Sequence, residues 1–400
     1  MLIIAITATA TSAWSNFGGS VINTADSYIS LGNITPEDFL QHYWQKKPLL
    51  VRNALPGFQG LLTRQELVQL AANEDVQSRL IANKNTKWHL KYGPLTTKDF
   101  TRLPADTWSL LVQEVNHFLP SARDLLQKFG FIPYARLDDL MVSYAPAGGG
   151  IGPHFDSYDV FLLQGFGRRR WEIAGDYDQT LVADAPLKIL QHFKPEHSWI
   201  LEPGDMLYLP PNYAHHGTAL DACMTYSIGF RAPSHQELIT QFLIYLQDNL
   251  QVDGWYIDPD LKLQPNPWKI HREMQRQVHS ILKKIKWRAS DVEDFLGVYL
   301  TEPKSHIFFD CPEHPLTYKK FKNVIRKKNI QLDLKSRMLC QQDKIFLNGE
   351  AYKVNTTAKK NLSELIYRRN EFSRNNLDDE AGKVLYQWYV NGYINIIDIA

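Results

Sequence analysis

Cysteine is scarce in this chain: 400 residues hold only Cys223, Cys311 and Cys340. Three thiols, odd in number and far apart, build neither a disulfide framework nor a CxxC zinc pair, and they suit a reducing cytoplasm. Net charge is also nearly absent, with 44 basic side chains against 43 acidic ones, so overall charge singles out neither nucleic acid nor an acidic surface. There is no repeat array and no collagen-like period. The opening "MLIIAITATATSAW" is apolar but has no Lys or Arg ahead of it and is too short to span a bilayer. It reads as a disordered or loosely packed extension rather than a signal peptide.

What is present is ordinary globular material, 44% hydrophobic and 12% aromatic, in a chain long enough for two or three domains. "ITPEDFLQHYWQKKPLLVRNA" opens with a capping signal at Thr35 and acidic residues in the next turn, which predicts a helix, and "PLLVRNAL" predicts a strand. From Leu137 to Arg231 the texture changes to short β-like runs, among them "LMVSYAP", "DVFLLQ", "RRWEIAG", "SWILEPGDMLYLPP" and "MTYSIGFRAP", separated by glycine turns. That spacing predicts a β-barrel or double-sheet jelly roll. After "RAPS" the period becomes helical, with Leu238, Phe242, Leu246 and Leu250 in one stripe. A second helix is predicted over roughly 267–286, with Ile270, Met274, Val278, Ile281 and Ile285 on one side. Beyond about Ser290 a basic helix, a hairpin turning at Asn348-Gly349 and a further helix suggest a compact terminal module.

The chemistry centres on "GPHFDSYDVF". If this run is a strand, His154 and Asp156 project the same way, about 7 Å apart along it. Two histidines and one carboxylate on one face of an octahedron form the site of non-haem iron oxygenases. The second histidine is sought in "LEPGDMLYLPPNYAHHGTAL", where alternation lets only one of His215 and His216 reach the metal and spacing does not choose between them. The open positions need a co-substrate, and "GFGRRRWEI" offers a cation for a buried carboxylate. Alternation puts Arg168 and Arg170 on one face and Arg169 on the other. Read alone, the run also fits a solvated basic strand.

At these residues the sequence resembles the JmjC family of Fe(II)- and 2-oxoglutarate-dependent oxygenases, and within it the bacterial ribosomal oxygenases that hydroxylate an arginine of a large-subunit ribosomal protein. The likeness is carried by "DFLQHYWQKKPLLVRNA", "DDLMVSYAPAGGGIGPHFDSYDVFLLQGFGRRRWEI", "PGDMLYLPPNYAHHGTAL" and "TYSIGFRAP", and it covers residues 28–400. It implies a mixed α+β chain: an N-terminal extension at 1–27, a double-stranded β-helix of cupin or jelly-roll type at 28–232, a helical dimerisation region at 233–290 and a winged-helix-like domain at 291–400. It makes His154, Asp156 and His215 the iron ligands, His215 being chosen because the family's ligand lies two positions before a glycine, here Gly217. It makes Arg169 the anchor for the distal carboxylate of 2-oxoglutarate, with Ser227 beside it. His216 departs from the acidic residue the family places there.

An arginine substrate wants an aromatic and carboxylate pocket, for which Tyr144, Tyr158 and Asp159 are candidates; packing tyrosines and a turn-capping aspartate are the plainer alternatives. The resemblance also implies O2 as co-substrate, a ribosomal protein as partner, a homodimer and no membrane. The cations Lys319, Lys320, Lys322, Arg326, Lys327 and Lys328 suit ribosomal RNA, or simply a solvated helix face. Competing functions are histidine hydroxylation of a ribosomal protein and a non-catalytic cupin-like protein that binds nucleic acid.

Overall fold

The computed structural model describes residues 28–84, 87–101, 103–367 and 377–398, so the extension expected at 1–27 lies outside the described residues. In chain order the first part comprises α1 (Pro36–His42), β1 (Leu49–Val51), α2 (Arg64–Ala71), β2 (Ser78–Lys84), β3 (Lys87–Tyr92), α3 (Thr97–Thr101), β4 (Trp108–Val112), α4 (Pro120–Gln127), β5 (Leu137–Ala145), β6 (Val160–Phe166), β7 (Arg169–Ala174), β8 (His197–Leu201), β9 (Met206–Leu209), β10 (Ala214–Ala219) and β11 (Cys223–Phe230). The Thr35 hydroxyl accepts from the Asp38 amide at 3.1 Å, closing the capping box that starts α1.

Eight strands form one antiparallel sheet in the order β1-β9-β6-β11-β5-β4-β2-β3, and β10-β7-β8 form a second. This is the expected jelly roll. The strand period of two decides what each face touches. On β5, Leu140, Val142 and Tyr144 enter the main core under the large sheet, while Met141 and Ser143 face a cavity between the sheets. The core is aromatic where α1 docks: the ring of Tyr208 lies 4.8 Å from that of Phe39 and 4.9 Å from that of Phe161. All three are fully buried, each contributing about 2–3 kcal/mol by apolar burial.

The second part comprises α5 (His235–Asn249), α6 (Arg272–Leu282), α7 (Ala289–Thr301), α8 (Tyr318–Val324), β12 (Asn329–Leu332), β13 (Met338–Gln341), β14 (Lys344–Leu347), β15 (Glu350–Lys353), α9 (Thr356–Tyr367), α10 (Asp379–Val390) and β16 (Ile394–Ile397). A separate core built on Phe321, Leu385 and Trp388 holds the terminal module together. Asn348 and Gly349 both have positive φ, 51° and 85°, as the turn between β14 and β15 requires. The helix predicted over 267–286 is shorter. Pro265 and Pro267 keep the preceding segment out of the helix, His271 caps it, and α6 begins at Arg272.

Candidate active site

The two sheets enclose a cavity of about 340 Å³ lined from both sides, with Met141 and Ser143 from β5, Ser227 from β11 and Arg169, Trp171 and His215 from the small sheet. His154 joins this lining through a single isolated bridge to His215. The two residues exchange both backbone hydrogen bonds, at 3.0 and 2.8 Å. The expectation that His154 and Asp156 share a continuous strand is corrected here. Gly152 has φ +90° and Pro153 has no amide proton, so the ladder cannot extend on the N-terminal side of His154; beyond it the chain leaves the bridge and strand resumes only at Val160. The turn is pinned where the Asn212 amide donates to the Asp156 carbonyl at 2.7 Å. It leaves the Asp156 carboxylate 3.7 Å from His215 Nε2.

His154, Asp156 and His215 each offer a ligand atom, and these atoms lie within 4.8 Å of one another. The two imidazoles are oriented alike: Nδ1 of His154 lies 2.9 Å from the Gly152 carbonyl, and Nδ1 of His215 lies 3.0 Å from the Tyr213 carbonyl. A carbonyl can only accept, so each Nδ1 carries the proton and each Nε2 lone pair is left for a metal. Burial, and then the neighbouring His154, push the His215 pKa down to about 4, which keeps that ring neutral and ready to ligate. Two neutral imidazoles and one carboxylate fit a divalent ion and leave positions open for other ligands.

Arg169 is 2% exposed and sits in the same cavity. Its guanidinium donates to Ser143 Oγ at 3.1 Å and Thr225 Oγ1 at 3.2 Å and lies 5.1 Å from the Trp171 ring. Its Nε has no partner, and no carboxylate pairs with it among the described residues. Burial alone lowers its pKa. A buried cation without a counter-ion costs several kcal/mol, which an anionic ligand would offset. Arg168 and Arg170 face solvent, Arg168 pairing with Asp221 at 2.8 Å.

The remaining predicted residues divide. Ser227 and Tyr158 line the cavity, Tyr158 beside Asp156. Tyr144 does not line it: one residue out of phase with Ser143, it is buried beside Trp108 and under the Arg64 guanidinium. Asp159 is fully buried and accepts from Tyr208 at 2.6 Å and Gln45 at 2.9 Å, which makes it a tie between the sheet and the turn that follows α1. His216 turns to the other face of β10, opposite Glu172 at 3.7 Å. Sequence reasoning missed Asp139, which lies at the start of β5 on the Met141–Ser143 face and lines the cavity. Burial, and then Asp138, raise its pKa to about 6. Four residues of strand, about 13 Å, separate it from Ser143 and hence from Arg169. A pair of aspartates at the head of a mostly apolar strand was the available signal.

Residues 124–238 match the JmjC domain family and residues 284–395 the ROXA-like winged helix family. The ribosomal protein uL16 3-hydroxylase of Escherichia coli (strain K12) is 33% identical over 315 residues, which cover 78% of this chain and 84% of that protein. A probable ribosomal oxygenase of Haemophilus influenzae is 42% identical over 236 residues, 58% of this chain and 56% of that one. The structure of YcfD, a ribosomal oxygenase from E. coli in complex with cobalt and 2-oxoglutarate, superposes with a TM-score of 0.75 at 29% identity, covering 92% of this chain and 99% of the other.

Proposed function

Because this chain belongs to the JmjC-domain family and to its ribosomal oxygenases, we propose that it hydroxylates an arginine side chain of a large-subunit ribosomal protein. It is an Fe(II)- and 2-oxoglutarate-dependent oxygenase. His154, Asp156 and His215 hold the iron, and Arg169, with Ser227 beside it, holds the distal carboxylate of 2-oxoglutarate. When bound, metal and co-substrate would supply the oxidation, one atom of O2 going to succinate as 2-oxoglutarate loses CO2 and the other to a substrate C–H bond.

The protein's own residues bind, orient and exclude water. Gly152 and Tyr213 fix the imidazole tautomers through their carbonyls. Trp171 closes over Arg169 and strengthens its hold on an anion by excluding solvent. The observation that carries the arginine reading is Asp139, a buried carboxylate lining the cavity one strand-length from Arg169. A guanidinium is the planar, always-charged partner for such a carboxylate, whereas a histidine substrate gives it no permanent charge to meet. A metal triad together with an anion-seeking arginine favours an enzyme over the non-catalytic cupin-like binder.

The test is mass spectrometry of ribosomal proteins incubated with purified enzyme, Fe(II), 2-oxoglutarate and O2 beside a His154→Ala control. One oxygen on one arginine, absent from the control, supports the proposal; one oxygen on a histidine transfers it to the alternative.

We infer also that the chain is a homodimer through α5 and α6, whose apolar residues face outward, and that it works in the cytoplasm where ribosomes are assembled. Among the described residues no helix is long and apolar enough to cross a membrane. In the basic cluster, Lys322 pairs with Asp379 at 3.2 Å and Lys328 with Asp398 at 2.8 Å. The exposed side chains of Lys319, Lys320, Arg326 and Lys327 are the ones offered to ribosomal RNA.

A further inference from the structure

Where β5 begins, the jelly roll and the winged-helix domain share a cluster of charges. Three carboxylates meet there: Glu114, Asp138 and Asp139. Glu114 is 3% exposed and Asp139 8%. Like charges so close repel, and without cations one of them would take up a proton and turn aside. The jelly roll itself supplies Arg231, whose Nε lies 3.6 Å from Asp138 Oδ1, and the other cations come from the far domain. Lys304 Nζ lies 2.9 Å from Glu114 Oε1 and 3.2 Å from Asp138 Oδ1, and His306 Nε2 lies 2.6 Å from Glu114 Oε2. Arg337 donates to the Asp138 carbonyl at 2.5 Å. Lys304, His306 and Arg337 all fall within the segment 284–395 that matches the winged-helix family.

The backbone of Glu114 is the joint. It adopts a left-handed conformation, φ 55° and ψ 33°, which is strained for a residue with a Cβ. In that conformation its amide donates to Asp139 Oδ2 at 3.2 Å. Two residues on, Asn116 Oδ1 accepts from the Leu140 amide at 2.9 Å and fixes the same strand from below. The clamp by Lys304 and His306 on the Glu114 side chain therefore sets the direction of an N–H that fixes a carboxylate lining the active-site cavity.

The electrostatics agree with the geometry. Burial opposes ionisation of Glu114, yet His306 and Lys304 hold its pKa below the usual value. Burial would likewise lower the Lys304 pKa, but Asp138, Asp139 and Glu114 raise it on balance.

We propose that Lys304 and His306 are positioning residues for the substrate: acting through Glu114 and Asp138, they hold the Asp139 carboxylate in place to receive the guanidinium, so the winged-helix domain completes the substrate pocket. This rests on the arginine reading above.

The experiment uses the full chain loaded with Fe(II) and a synthetic arginine-containing uL16 peptide. Lys304→Met is expected to raise the KM for peptide about tenfold while the KM for 2-oxoglutarate stays unchanged, and Lys304→Arg is expected to restore it. Arg123→Met is the control for loosening the interface. Arg123 donates to the Asp333 and Ser336 carbonyls across the same boundary, whereas Lys304 and His306 are the residues that hold Glu114, so its peptide KM should match the wild type. Should Lys304→Met fail to fold, His306→Ala carries the test with an expected rise of about threefold. If the wild type leaves the peptide unmodified, the arginine reading falls and this inference with it. If the wild type hydroxylates it and the variant's KM moves less than about twofold, or if Arg123→Met raises it equally, the inference alone falls.

Discussion

His154 and His215 are joined by an isolated two-hydrogen-bond bridge that brings their ring centroids to 4.3 Å. The ligand pair is thus built on backbone, and the backbone does not depend on the imidazoles. His215→Ala should fold and lose the metal. A Co(II) titration followed by visible absorption should show affinity weakened by more than about 100-fold. Chelating the metal from the wild type should lower its melting temperature, since an ion at about 100 times its Kd stabilises by about 2.7 kcal/mol. Full metal affinity in the variant would remove His215 from the ligand set.

Arg169 makes a second prediction with two opposed signs. Its charge is buried without a carboxylate partner, so the methionine variant should make the metal-free protein more stable, by about 1–3 kcal/mol, while raising the KM for 2-oxoglutarate at least about 100-fold. Thermal melts and steady-state kinetics on one preparation check both. A variant that is less stable and still saturates at wild-type 2-oxoglutarate would show that Arg169 is a core strut.

The sequence made some of this site legible, for local physical reasons. Alternation separated Arg169 from its neighbours because β7 is a regular strand. Gly217, the residue that marks His215, has a cause visible only in three dimensions: a Cβ there would stand 2.7 Å from the Trp171 ring. The pattern failed where it assumed regularity or proximity. "GPHFD" looked like a strand because period-two reasoning ignores the proline and the positive-φ glycine that end the ladder. Tyr144 and Asp159 were chosen for nearness in sequence, but phase turns Tyr144 into the core and Asp159 is committed to Tyr208 and Gln45. Asp139 escaped notice because only the packing of β5 against β11 and β4 puts it in the cavity.

Two buried histidines set the acid limb of stability. Burial pushes the pKa of His117 and His215 down to about 4, with Arg337 and Lys304 acting in the same sense on His117 and the neighbouring His154 on His215, whereas in the unfolded chain each titrates near 6.5. Between about pH 6.5 and 4 the unfolded chain binds protons that the folded chain refuses. Stability therefore falls as pH falls through that window, by up to about 1.4 kcal/mol per unit for each histidine. Asp139, with its pKa raised to about 6, acts in the opposite sense: it favours the folded state at low pH, and that contribution is lost as pH rises through 6. His117→Gln isolates one histidine. Metal-free melts from pH 7 to 4.5 should show a slope shallower than the wild type by about one proton, and parallel curves would mean that His117 titrates normally in the folded protein.

The remaining prediction concerns the helical region, where apolar side chains point outward in number. Ile239 and Leu243 on α5 are more than half exposed, Met274, Val278 and Ile281 line one side of α6, and Trp255 and Trp268 are each 92% exposed. Monomeric proteins rarely expose contiguous apolar area beyond a few hundred Å². A two-fold axis is the simplest cover, since it lets one patch bury its own copy and needs no second protein. Light scattering at micromolar concentration should give twice the chain mass. Val278→Asp with Ile281→Asp would set carboxylates against each other across that axis and give a monomer that still binds metal, because α6 contributes no residue to the cavity. A wild type that is already monomeric would leave the stripe without a partner copy and the dimer would have to be given up.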